Sequence, residues 1–122
     1  MTLTSYKELT VWQRSIELVE EIYKLTAKFP KEETYGLVSQ LRRAAVAIPS
    51  NIAEGYQRGH KAEYIQFLRV AFASSSEVET QLIIAEKLEQ TKKLDYSKAT
   101  NLLEETRKML NKMISNLKGA KP

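Results

Sequence analysis

The 122-residue chain contains no cysteine, which excludes disulfide scaffolds, thiol nucleophiles and cysteine–zinc sites. Its 19 Lys+Arg and 15 Asp+Glu leave a net charge of +4, and the excess sits at the C-terminal end, where from Lys87 onward nine basic residues stand against four acidic ones. No segment approaches the roughly 20 consecutive apolar residues of a membrane span, and the first residues lack the charged-then-apolar pattern of a secretion signal. A cytoplasmic protein with no membrane partner is expected, a single domain over residues 1–122 with its core at about 6–118.

Four glycines and three prolines punctuate the chain, and the apolar spacing is helical almost throughout. The first predicted helix runs from about Leu9 to Lys28, with Val11, Trp12, Ile16, Val19, Ile22, Tyr23 and Leu25 recurring three to four apart. Phe29-Pro30 ends it, because the residue before a proline is pushed out of helical geometry. The second runs from about Tyr35 to Arg58 on the stripe Leu37, Leu41, Ala44, Ile48, Ile52 and Tyr56, and Gly59 is placed to end it in left-handed geometry.

Pro49 interrupts this second helix. It lacks an N–H, and its ring presses on the carbonyl of Ala45. Either the helix breaks and restarts with Asn51 as cap and Glu54 three residues on, or it continues with a kink. The stripe keeps its phase from Ile48 to Ile52, which favours one helix kinked at Pro49.

The third helix spans about Lys61 to Leu88 on Tyr64, Leu68, Ala71, Phe72, Ser75, Val78, Leu82 and Ala85. The fourth begins near Asp95, a good cap residue, and ends before Gly119, with Ala99, Leu102, Leu103, Thr106, Leu110, Met113 and Leu117 on its core face and a frayed tail beyond. Helices of about 20 residues, some 30 Å long, joined by short links, give an all-α, antiparallel up-and-down four-helix bundle.

A bundle helix needs one apolar stripe and leaves its other face to water. The run Ala44 to Pro49 covers every direction around its axis, and Val70, Ala73, Ile83 and Ile84 lie off the core stripe of the third helix. Either the second helix is the most central element of a monomer, or a second surface meets another subunit. On the latter reading the interface candidates are Ala45, Val46, Ala47, Pro49, Val70, Ala73, Ile83 and Ile84.

No catalytic constellation stands out in the sequence. His60 is the single histidine, so the paired Glu-x-x-His units of a bundle di-iron site are impossible. It reads as a poor helix cap. Glu54 has Arg58 four residues on as a pairing partner. Ser74-Ser75-Ser76 lacks a base and an oxyanion hole and reads as small residues for close packing. No phosphate-binding glycine loop is present. No enzyme, metal or cofactor is expected.

Basic residues remain. Arg42, Arg43, Arg58, Lys61, Lys92, Lys93, Arg107, Lys108 and Lys112 are candidates for nucleic-acid backbone contact, because such binding needs clustered cations on one surface. Aromatic platforms for single strands are not evident, since most tyrosines fall on or near core stripes.

The stretches Leu9–Trp12, Phe29–Leu37, Gln40–Gly55 and Glu77–Leu82 resemble the bacterial four-helix-bundle family of proteins encoded in intervening sequences of 23S ribosomal RNA genes, and the resemblance covers about residues 6–117. Arg42 and Arg43 match the paired basic positions of that family, and Ala53-Glu54-Gly55 matches its core motif. The resemblance implies a homopentamer. It also implies kinship with the accessory variability protein of diversity-generating retroelements, whose basic barrel binds nucleic acid and a reverse transcriptase. RNA or DNA, and a reverse transcriptase or other protein, are the partners so implied. A homo-oligomeric protein–protein scaffold without nucleic-acid binding is the alternative.

Overall fold

A computed structural model describes residues 5–119. The expected frayed tail from Gly119 lies outside these residues except for Gly119 itself, which is the last residue of the fourth helix and not the stop placed before it. Four helices form the bundle: α1 (Thr10–Thr26), α2 (Ser39–Gln57), α3 (Lys61–Lys87) and α4 (Ser97–Gly119). They pack in a ring, each against the next and α4 back against α1. Cross-contacts set the directions. Arg14 pairs with Glu105 and Lys98 with Glu21, so α1 and α4 run antiparallel. Arg42 near the start of α2 meets Thr26 at the end of α1. Gly55 near the end of α2 faces Tyr64 and Phe67 near the start of α3.

The start of α1 and the far part of α4 lie side by side, with Leu9, Thr10 and Val11 lining one hollow with Met109, Lys112 and Met113. The turn after α1 and the α3–α4 loop therefore occupy the opposite end of the bundle.

The core is filled by Leu18, Ile22, Leu41, Ile48, Ile52, Leu68, Val78, Leu103 and Leu110, all buried. Each such side chain contributes roughly 1.5–3 kcal/mol. Buried hydroxyls are satisfied within the helices, one turn back: Ser15 donates to the Trp12 carbonyl at 2.7 Å, Thr26 to Ile22 at 2.7 Å and Thr106 to Leu102 at 2.8 Å. The α3–α4 loop is tied by Thr91, which donates to the Ala85 carbonyl at 2.7 Å, and by the Tyr96 hydroxyl, which donates to the Thr91 carbonyl at 2.8 Å.

Helix α2 is uninterrupted across Pro49. The break-and-restart alternative fails at Asn51, whose side-chain amide donates back to the Ala47 carbonyl at 2.8 Å instead of capping a new helix. Gly59 takes φ +78° just beyond α2, as its position suggested.

Three boundaries differ from expectation. α2 begins at Ser39, because Thr34–Val38 forms a wide π-helical turn in which Gly36 (φ −109°, ψ −107°) leaves helical geometry. α4 begins at Ser97, because Asp95 accepts the Ser97 backbone N–H at 3.0 Å and its hydroxyl at 2.7 Å, forming a turn ahead of the helix. These bonds favour the carboxylate and hold the Asp95 pKa below its usual value. A short 3₁₀ turn, Tyr6–Glu8, precedes α1 and is closed by a reciprocal Ser5–Glu8 capping box. In α1 the deepest face carries Ser15 and Leu18, with Trp12, Ile16 and Val19 half-buried beside it and Tyr23 exposed.

Candidate functional site

The basic residues divide into two kinds. Arg42, Arg58 and Arg107 are engaged by other residues of the bundle. Arg42 donates from Nε to the Thr26 hydroxyl at 2.9 Å and from its terminal nitrogen to the Tyr23 carbonyl at 3.4 Å, with its guanidinium 4.3 Å from the Tyr23 ring centre. It caps the C-terminal end of α1, where cations oppose the helix dipole. Arg58 pairs with Glu54 at 2.9 Å and Glu63 at 3.5 Å and lies over Phe67, so it clasps the α2–α3 turn. Arg107 donates to the hydroxyls of Ser75 and Ser76 at 2.8 and 2.9 Å and stacks on Phe72 at 4.4 Å. That tie between α3 and α4 explains why serines stand there. As backbone-binding candidates Arg42, Arg58 and Arg107 are thus committed first to the fold.

The lysines face outward. Lys92 pairs with Glu89 at 2.8 Å, and Lys61 is exposed at the start of α3. Lys93, Lys108 and Lys112 are exposed, as is Arg43. None of these four is engaged by the ion pairs found among the described residues. Lys108 and Lys112 stand one helical turn apart on the outer face of α4.

The apolar candidates also divide. Ala45 and Pro49 are buried in the protomer, although Pro49 still borders the α1–α2 groove. The all-round apolar run therefore partly serves the core. Val46, Val70, Ile83 and Ile84 are 40–47% exposed, Ala73 is exposed and Ala47 half-buried. They do not share one face. Val46 and Pro49 line the α1–α2 groove with Trp12 and Val19. Ala47 lines the α2–α3 groove, and Ile83 the α3–α4 groove.

Two features escaped sequence reasoning. Gly55 is a contact point, since a Cβ there would stand 2.6 Å from the Phe67 Cβ and 3.2 Å from the Tyr64 ring. Tyr35, expected within the second helix, is 96% exposed. It borders a groove of about 460 Å³ between α2 and α3, lined also by Gln40, Arg43, Glu77 and Gln81. The glycine after Tyr35 was the signal that the helix had not yet begun there.

Among the described residues no three His, Asp or Glu side chains gather as a metal site, and no helix is long and apolar enough to cross a membrane. His60 precedes α3 without a side-chain capping bond.

A family model described as 23S rRNA-intervening sequence protein matches residues 7–112. A solved structure of similar shape is a protein with unknown function from the S23 ribosomal protein family of Bacteroides thetaiotaomicron. It is 25% identical, with a TM-score of 0.75 over 86% of this chain and 98% of that one. No curated protein matches the sequence.

Proposed function

The chain belongs to the family of 23S rRNA-intervening sequence proteins, and from that premise we propose that it is a non-enzymatic bundle that assembles with copies of itself, as a pentamer, and holds the backbone of RNA or DNA through outward lysines. One observation carries the nucleic-acid part. Part of the basic excess from Lys87 onward is borne outward by Lys108 and Lys112, one turn apart on the exposed face of α4 and outside the ion pairs of the bundle. Arg107 beside them turns inward and is not counted. Phosphate contacts of this kind release counterions and weaken as salt rises.

The test is a salt titration of binding to duplex DNA and to structured RNA. The double charge reversal Lys108→Glu with Lys112→Glu is expected to lower affinity and to reduce the slope of log affinity against log salt by about 2. An unchanged slope removes α4 from the contact surface.

The protein–protein scaffold is the second reading. It is favoured by the exposure of Val46, Val70, Ile83 and Ile84, and it predicts an oligomer that binds neither nucleic acid near physiological salt.

A further inference from the structure

We propose that the groove between α2 and α3 beside Tyr35 is a binding site for an unpaired nucleotide of a single-stranded nucleic acid. The inference rests on the nucleic-acid reading above and adds to it a ligand class and a site away from the outer face of α4.

Three observations converge. Tyr35 presents a nearly bare ring, at 96% exposure, where every other tyrosine is covered more deeply. A base offers a π-face to such a ring whatever its identity, and unstacked bases are commonly held this way. Arg43 and Glu77 line the same groove and yet form no ion pair with each other within 4.0 Å. The guanidinium is left for a phosphate, and the carboxylate for an exocyclic amino group.

The third observation is Gln81. Its Oε1 is buried without a hydrogen-bond partner, while its Nε2 reaches only the Gln40 Oε1, at 3.5 Å. Gln40 and Gln81 both line the groove, and a small turn of the Gln81 amide toward a base edge would give its unpaired oxygen a partner. The groove volume of about 460 Å³ falls in the range of small-molecule sites.

The experiment measures anisotropy of a fluorescein-labelled RNA decamer, alone and annealed to its complement, together with the light-scattering mass and melting temperature of each variant. Tyr35→Ala and Gln81→Leu should each weaken single-strand binding about tenfold, leave duplex binding and mass as in the wild type, and leave the fold intact. Tyr35→Phe should retain the wild-type affinity. Gln81→Leu should lose affinity without losing stability, because it removes an unpaired buried acceptor; a purely structural Gln81 would show the reverse. Unchanged single-strand affinity in Tyr35→Ala, with duplex binding present, overturns this site and leaves the lysine surface standing. A wild type that binds neither probe overturns both. A drop in mass on Tyr35→Ala assigns the groove to contact between copies and overturns the nucleotide site.

Discussion

Tyr64 carries the clearest electrostatic signature in the molecule. Its ring packs edge-on to Tyr56 at 6.0 Å, and its hydroxyl is buried without a hydrogen-bond partner. Burial first, and then Tyr56, push its pKa up from 10.0 to about 12, since a phenolate there would lose hydration. The folded state thus holds this proton more tightly than the unfolded one. Stability is unaffected below about pH 10 and falls as pH rises from 10 towards 12. Burial also raises the Tyr96 phenol, so ultraviolet titration of the folded protein should show both ionising late, and Tyr64→Phe should remove the Tyr64 part of that late phase. The same variant should be neutral or stabilising by up to about 1 kcal/mol in denaturant unfolding, because it deletes a buried unpaired group. A clear loss of stability would mean that the hydroxyl has a partner.

Between elements, the spacing of α2 and α3 is set where Gly55 meets Phe67 and Tyr64. A methyl group at that position would overlap the Phe67 Cβ at 2.6 Å, and both atoms belong to helices fixed by the short turn at Gly59. Gly55→Ala gains helix propensity but forces the helices apart. It is expected to destabilise by about 1–3 kcal/mol, read from the shift in denaturation midpoint at constant m-value. Gain of stability would show that the crossing can open freely.

This contact also marks the boundary of what the sequence could tell. The stops at Phe29-Pro30 and Gly59 and the stripes of α2, α3 and α4 are local signals, and the structure agrees with them. Partners far apart in the chain are not local. Nothing near Arg107 points to Ser75 and Ser76 on the facing helix, and nothing near Arg42 points to Thr26. The same gap hid Tyr35, whose spacing from Ser39 looked helical until Gly36 turned the backbone aside. A periodic stripe shows which way a residue faces on an ideal helix, and Tyr35 precedes the helix.

For the molecule as a whole, the apolar surplus of α3 faces away from the core. Val70, Ala73 and Ile84 fall on the outer side of a helix whose buried line is Leu68, Ala71, Val78, Leu82 and Ala85. Exposed apolar side chains of this kind are where the proposed self-assembly is tested. If the proposed pentamer forms through this face, Val70→Glu combined with Ile84→Glu should reduce the solution mass from near five times 14.0 kDa to that of a single chain, with helical circular dichroism unchanged. An undiminished mass would move the assembly surface to the grooves containing Val46 or Ile83.

Leu9 to Val11 lie against Met109 to Met113, so the chain enters and leaves the bundle at neighbouring points. Anything joined to the front of α1 or the back of α4 projects from that shared end. Tyr35, the α3–α4 loop and the open mouth between α2 and α3 stay clear at the other. A fusion partner or a surface tether can therefore be attached through either helix without covering the far rim. The two ends are also close enough that a short linker could join them, and a new opening cut into the α2–α3 turn would give a permuted chain with the same four helices in the same ring.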